Sequence, residues 1–86
     1  MPTIAQIDGI RIMMFQSDHD PPHFHAFGAD FEAKLSIDPF AVMESRGRVR
    51  ARDLLLIRNW TLTHRSAVTE NWLRARRAER ILKIED

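Results

Sequence analysis

Cysteine is absent from the chain. That excludes a disulfide framework, a thiolate zinc site and a thiol nucleophile. Glycine is scarce, with three residues, none in a phosphate-cradling pattern, so a nucleotide-binding loop is excluded. No serine nucleophile motif is present. No apolar run approaches the ~18 residues of a membrane span, and the start of the chain lacks a basic-then-apolar signal segment. A cytoplasmic protein with no membrane association is therefore expected. Internal repeats, low-complexity stretches and linkers are missing too. The 86 residues make one domain. A chain of this length buries only about 60–65% of its unfolded surface, and such marginal cores often gain stability from a partner or a second copy.

What is present is an ordinary globular composition, 44% hydrophobic and 29% charged. The net charge of +1 conceals an asymmetry. Residues 1–45 hold Arg11 and Lys34 against seven acids, a balance of −5, whereas residues 46–86 hold eleven arginines and lysines against five acids, a balance of +6. A basic face of this kind attracts phosphates or acidic partners. Solvated helix surfaces are the plainer explanation.

Residues 1–9 read as a lead-in strand carrying Ile4 and Ile7, and Asp8-Gly9 is a turn signal. Ile10 to Gln16 is apolar and reads as a second strand, forming a hairpin with the first. Its near-continuous hydrophobicity predicts burial on both faces or a second copy packed on it. Ser17 to Pro22 is a loop, because two adjacent prolines exclude regular helix. His23 to Phe27 returns to strand character. Phe31 to Ile37 alternates, with Phe31, Ala33, Leu35 and Ile37 on one face and Glu32, Lys34 and Ser36 on the other. Phe40 to Glu44 fits either a short strand or a turn of helix, and Ser45 to Val49 reads as a loop. From Ala51 the period becomes helical. Leu54, Leu55, Ile57, Trp60 and Leu62 mark one amphipathic helix, and Ala67, Val68, Trp72 and Ala75 mark a second. Thr63 to Ser66 is the break between them, although one kinked helix is the alternative. Ile81-Leu82-Lys83-Ile84 fits a short closing strand or a frayed tail. The expected fold is α+β. An antiparallel meander of three to four strands (residues 1–44) packs against two C-terminal helices (residues 45–86).

The turn joining the third and fourth strands sets the register. A two-residue loop at Gly28-Ala29, with glycine first as a type II′ turn prefers, pairs Ala26 with Phe31 and Phe24 with Ala33 on the core face. It sets His25 opposite Glu32 and His23 opposite Lys34 on the other face. A slip of one residue would push both histidines into the apolar face.

The densest chemistry lies in Asp18-His19-Asp20-Pro21-Pro22-His23-Phe24-His25, which holds three of the four histidines. His23 and His25 are two apart on a strand and so share a face. With His19, Asp18, Asp20 or Glu32 they have the residue types that suit zinc, manganese or iron, but no established metal spacing is present. The second chemistry is acid–base work, as in metal-free RNA cleavage. There His23 or His25 is the base or acid, Glu32 orients it or shares the role, and Lys34 or an arginine neutralises the phosphate. A cross-strand charge pair of up to ~1 kcal/mol with no catalytic role fits the same residues. The preferred site is the patch His23, His25, Glu32 and Lys34, with neither metal nor other cofactor required.

Arg46, Arg48, Arg50 and Arg52 alternate with small residues. In extended chain they would line one side of a ribbon and track a phosphate backbone. In a helix they would spread around the axis. Arg74, Arg76, Arg77 and Arg80 crowd the end of the second helix, where cations suit the helix dipole. Trp60 and Trp72 sit among apolar neighbours at helical spacing and read as core or interface, and His64 reads as a capping or surface residue.

The segments Met1-Pro2-Thr3-Ile4, Gly9-Ile10-Arg11-Ile12, Asp18 to His25 and Glu32-Ala33-Lys34, with Trp72 in the helical half, together resemble the small bacterial domain-of-unknown-function family 4160. The resemblance spans nearly the whole chain. It marks His19, Asp20, His23, His25, Glu32 and Lys34 as shared polar positions. The chain departs from the family at its arginine-rich stretches 46–52 and 74–80, where the usual member is more acidic. The resemblance implies a component of a bacterial toxin–antitoxin-type module, with a cognate small protein encoded nearby as partner and RNA as a target. It leaves open which of the two components this is. The leading expectation is therefore such a module, with metal-independent ribonuclease activity if it is an enzyme and with a homodimer as its assembly. The alternatives are a non-catalytic, antitoxin-like module that binds protein or DNA, and a histidine–carboxylate metal protein.

Overall fold

The computed structural model describes residues 3–84. Five strands, β1 (Thr3–Ile7), β2 (Ile10–Met13), β3 (His23–Phe27), β4 (Phe31–Ser36) and β5 (Ala41–Gly47), form one antiparallel sheet in the order β1-β2-β3-β4-β5. Two helices follow, α1 (Ala51–Thr63) and α2 (Arg65–Arg76). The fold is the expected α+β meander with a C-terminal helical pair. The sheet holds one strand more than the upper expectation, because Phe40 to Glu44, ambiguous by pattern, belongs mostly to β5. That strand runs through Gly47 rather than giving way to a loop at Ser45.

The β1–β2 hairpin closes on Asp8-Gly9, with Ile7 paired to Ile10. Asp8 has φ 47° and Gly9 φ 85°, the positive pair that a tight two-residue hairpin turn requires. The core lies between the sheet and the helices. Ile12, Ala26 and Ala33 form one row across β2, β3 and β4, and Phe24 and Leu35 form the next. All five are buried. Helix α1 contributes Ile57 and Trp60, and α2 contributes Val68, Trp72 and Ala75. The Phe24 and Trp60 rings meet edge-to-face at 6.2 Å. Both tryptophans are thus core residues. The helix break shrinks to His64, which is half-buried and lies against Trp60 at 5.3 Å. Asp53 accepts the Arg50 amide at 3.2 Å and caps the start of α1.

In β2, Met13 faces away from the helices in the His25 row and is nevertheless buried within this chain, as are Met14 and the core-facing Ile10 and Ile12. Burial on both faces, one of the two expectations for this run, is met at Ile10, Ile12, Met13 and Met14, and Phe15 is half-buried. The C-terminal segment forms no regular strand among the described residues. It touches the sheet by one bond, from the Ile84 amide to the Ile4 carbonyl at 2.7 Å. No helix among the described residues is long and apolar enough to cross a membrane.

Candidate functional site

Register decides which polar residues meet. The loop joining β3 and β4 is Ala29-Asp30, one position later than expected. The Gly28 amide bonds the Phe31 carbonyl at 2.9 Å, and His25 pairs with Lys34, Phe27 with Glu32 and His23 with Ser36. The expected pairs His25–Glu32 and His23–Lys34 are therefore corrected by a two-residue slip. Because the slip is even, every side chain keeps its face. The expected register needs Gly28 as the first residue of the turn. Gly28 instead occupies the hydrogen-bonded position before the turn, where the Phe31 ring packs against it so closely that a Cβ would collide.

Directly paired residues share a face, so the open side of the sheet carries two rows. One runs Met13, His25, Lys34, Glu44 and the other Arg11, Phe27, Glu32, Arg46. Over β3, β4 and β5 they line a shallow cavity of about 170 Å³, bordered by His25, Phe27, Glu32, Lys34, Glu44 and Arg46. Glu32 is engaged by Arg46 at 2.5 Å. Three of the four residues expected at the site, His25, Glu32 and Lys34, thus border one cavity.

The fourth, His23, lies at the first position of β3, where the sheet ends. It is 2% exposed, closed over by Trp72 at 5.2 Å and by His25 at 5.3 Å between ring centroids. Its Nδ1 donates to the Pro21 carbonyl at 2.7 Å. The group that joins the two histidines is Asp18. Its Oδ2 lies 3.2 Å from His25 Nε2 and 3.5 Å from His23 Nε2, and it also accepts the Phe15 amide at 3.3 Å. The edge of the Phe15 ring meets His25 at 4.7 Å. The stiff loop Ser17 to Pro22 thus folds back so that an aspartate, not Glu32, partners the histidines. From α2, Arg76 reaches the same loop, donating to the Asp18 carbonyl at 3.1 Å, lying 3.8 Å from the Asp20 carboxylate and sitting over Trp72. By sequence, Asp18 is only one of several carboxylates near the histidines, and Arg76 is one arginine of a surface cluster. Nothing local in the chain links Arg76 to a loop 58 positions earlier.

The arginine series does not form a ribbon. Arg46 is on β5, Gly47 turns the chain with φ 83°, and Arg52 is already in α1. Three of them face carboxylates, Arg46 with Glu32, Arg50 with Asp30 at 3.6 Å and Arg52 with Asp8 at 2.6 Å. Of these four, Arg48 alone has no ion pair among the described residues. Around the end of α2, Arg74 and Arg77 are held by Glu70 and Glu79.

The family described as Domain of unknown function (DUF4160) matches residues 9–73, and the chain belongs to that family. No curated protein and no solved structure matches it. The matched span contains the Asp18 loop, both strand histidines, the cavity residues and Trp72.

Proposed function

We propose that this chain is one component of a bacterial toxin–antitoxin-type module, and that its working surface is the open-face cavity, where a phosphodiester of RNA is held for cleavage. The observation that carries this reading is the direct pairing of His25 with Lys34 across β3 and β4, with His25 bonded to Asp18 behind it. Lys34 supplies a positive point charge for a phosphate oxygen. The Asp18–His25 unit stands where the proton of an attacking hydroxyl has to be handled. In that reaction the 2′-oxygen bonds to phosphorus, the bond from phosphorus to the 5′-oxygen breaks, and the departing oxygen takes up a proton. The family resemblance supports the module itself and a cognate protein encoded nearby. The test is expression of the wild type, Lys34→Ala and His25→Ala with and without the neighbouring gene. Growth arrest by the wild type, relieved by either substitution in a folded protein and by the neighbour, is the expected result. Arrest that persists in both variants overturns the assignment of the cavity.

A second reading rests on a different observation. Leu55 and Leu62, two turns apart on α1, are 57% and 39% exposed, and Leu73 on α2 is 43% exposed. An outer helical face of this kind suits a non-catalytic module that binds its cognate protein. It leads if the wild type causes no arrest and Leu55→Glu with Leu62→Glu abolishes co-purification with the neighbour's product.

A further inference from the structure

Asp18, His23 and His25 each offer one ligand atom, and these atoms all lie within 4.8 Å of one another. We propose that they hold a divalent transition-metal ion of the zinc, manganese or iron(II) class. Donors bound at about 2.0–2.2 Å around a tetrahedral ion stand roughly 3.4 Å apart. The two aspartate–histidine separations, 3.2 and 3.5 Å, already have that value.

The hydrogen bonding of His23 points the same way. A carbonyl only accepts, so the bond to Pro21 places the ring hydrogen on Nδ1. In the neutral ring Nε2 is then a bare lone pair facing a carboxylate oxygen. Two acceptors facing each other repel unless a cation or a proton lies between them. The ring is almost wholly buried, so water has little room to relieve the conflict. Histidines that bind metals are commonly oriented by just such a bond from the other ring nitrogen. Asp18 is oriented too, by the Phe15 amide. The nearby cation, Arg76, is directed to the Asp20 carboxylate and the Asp18 backbone carbonyl, which leaves the Asp18 carboxylate to the ion. Two imidazoles and one carboxylate favour a transition metal over calcium or magnesium.

Three protein ligands leave a coordination position for water or substrate. His25 belongs both to this triad and to the cavity wall. The inference therefore deepens the RNA reading and rests on it in one respect: the Asp18–His25 unit would act on the attacking hydroxyl through water at the open position of the ion. The ion site itself is tested without RNA. Chelator-stripped protein is titrated with zinc chloride and then with manganese chloride by calorimetry, and its melting temperature is followed in parallel. One ion per chain and a raised melting temperature are expected. Asp18→Asn, which keeps the shape of the side chain, and His23→Ala should each weaken binding at least about tenfold. Glu32→Gln and Lys34→Ala should bind as the wild type does. Wild-type binding no tighter than that of Asp18→Asn, or equal losses in Glu32→Gln, overturns the site. His23→Ala removes a buried ring, and if that variant fails to fold, Asp18→Asn alone decides. RNA cleavage that persists in excess chelator overturns the ion's part in cleavage. Tight ion binding with no action on RNA overturns only the RNA reading.

Discussion

The side-chain amide of Asn71 clasps the backbone of Leu82. Its Nδ2 donates to the Leu82 carbonyl at 2.7 Å, and the Leu82 amide donates back to Oδ1 at 2.9 Å. Asn71 is 2% exposed, so this pair ties the C-terminal segment to α2 through a buried side chain. It seats Ile81 in the core and brings Ile84 to the edge of β1. A buried polar residue on an otherwise apolar helix face is thus what closes the fold.

Asn71→Ala leaves both Leu82 groups without a partner. A loss of about 1–3 kcal/mol follows, at about 0.5–1.5 kcal/mol for each of the two hydrogen bonds. Urea melts measure it. Amide exchange at Ile84 should quicken by more than global destabilisation alone produces.

Gly47→Ala should destabilise the chain by more than about 1 kcal/mol, because alanine is strained at positive φ. Gly47 has φ 83°, and a Cβ there would run into the Asp30 carbonyl and the Phe31 backbone. The same thermal or urea melts check it. An unchanged midpoint would mean that β5 can leave the sheet at no cost.

Lys34→Ala should weaken binding of single-stranded RNA while shifting stability by no more than about 0.5 kcal/mol, as is usual for a partly exposed side chain away from core packing. If Lys34 neutralises one phosphate, the slope of log affinity against log salt should fall by about 0.7. Fluorescence anisotropy at several salt concentrations reads both quantities.

The Arg77–Glu79 pair predicts a small acid dependence of stability. The Arg77 hydrogen bond, and then its charge, hold the Glu79 carboxyl below the ordinary glutamate value, and Glu79 in turn raises Arg77. A carboxyl depressed in the folded state stabilises above its unfolded value, and that contribution is lost as pH falls through the folded one. Glu79→Gln should therefore reduce stability slightly at neutral pH, and the difference from wild type should vanish in acid. Both groups lie at the surface, so salt should also shrink it. Melts at neutral and acidic pH, with and without added salt, test this.

Local pattern carries far in this chain. Alternation from Phe31 to Ile37 places a half-buried strand wherever it pairs, because successive side chains must point to opposite faces. Asp8-Gly9 closes a hairpin because the turn needs positive φ. Two prolines make Ser17 to Pro22 a loop in any context, and the helical period of residues 51–76 needs no tertiary information. Phe40 to Glu44 is ambiguous because an edge strand exposed on both sides shows no burial alternation.

The sequence by itself determined the first four strands ahead of a helical half, the face on which His25, Glu32 and Lys34 lie, and the placing of Trp60 and Trp72 in core or interface. All of these follow from periodicities of 2 and 3.6 residues, which act over a few positions. Only the tertiary structure decided who meets whom. The register of β3 on β4 came from how Gly28 and Phe31 pack at the turn, and it put Lys34 rather than Glu32 opposite His25. The return of the Asp18 loop over the sheet end made an aspartate the partner of both histidines. Arg76 reaches that loop, and Trp72 reaches His23 beside it, only because α2 packs there. Such contacts depend on how surfaces far apart in the chain fit together, which no local pattern encodes.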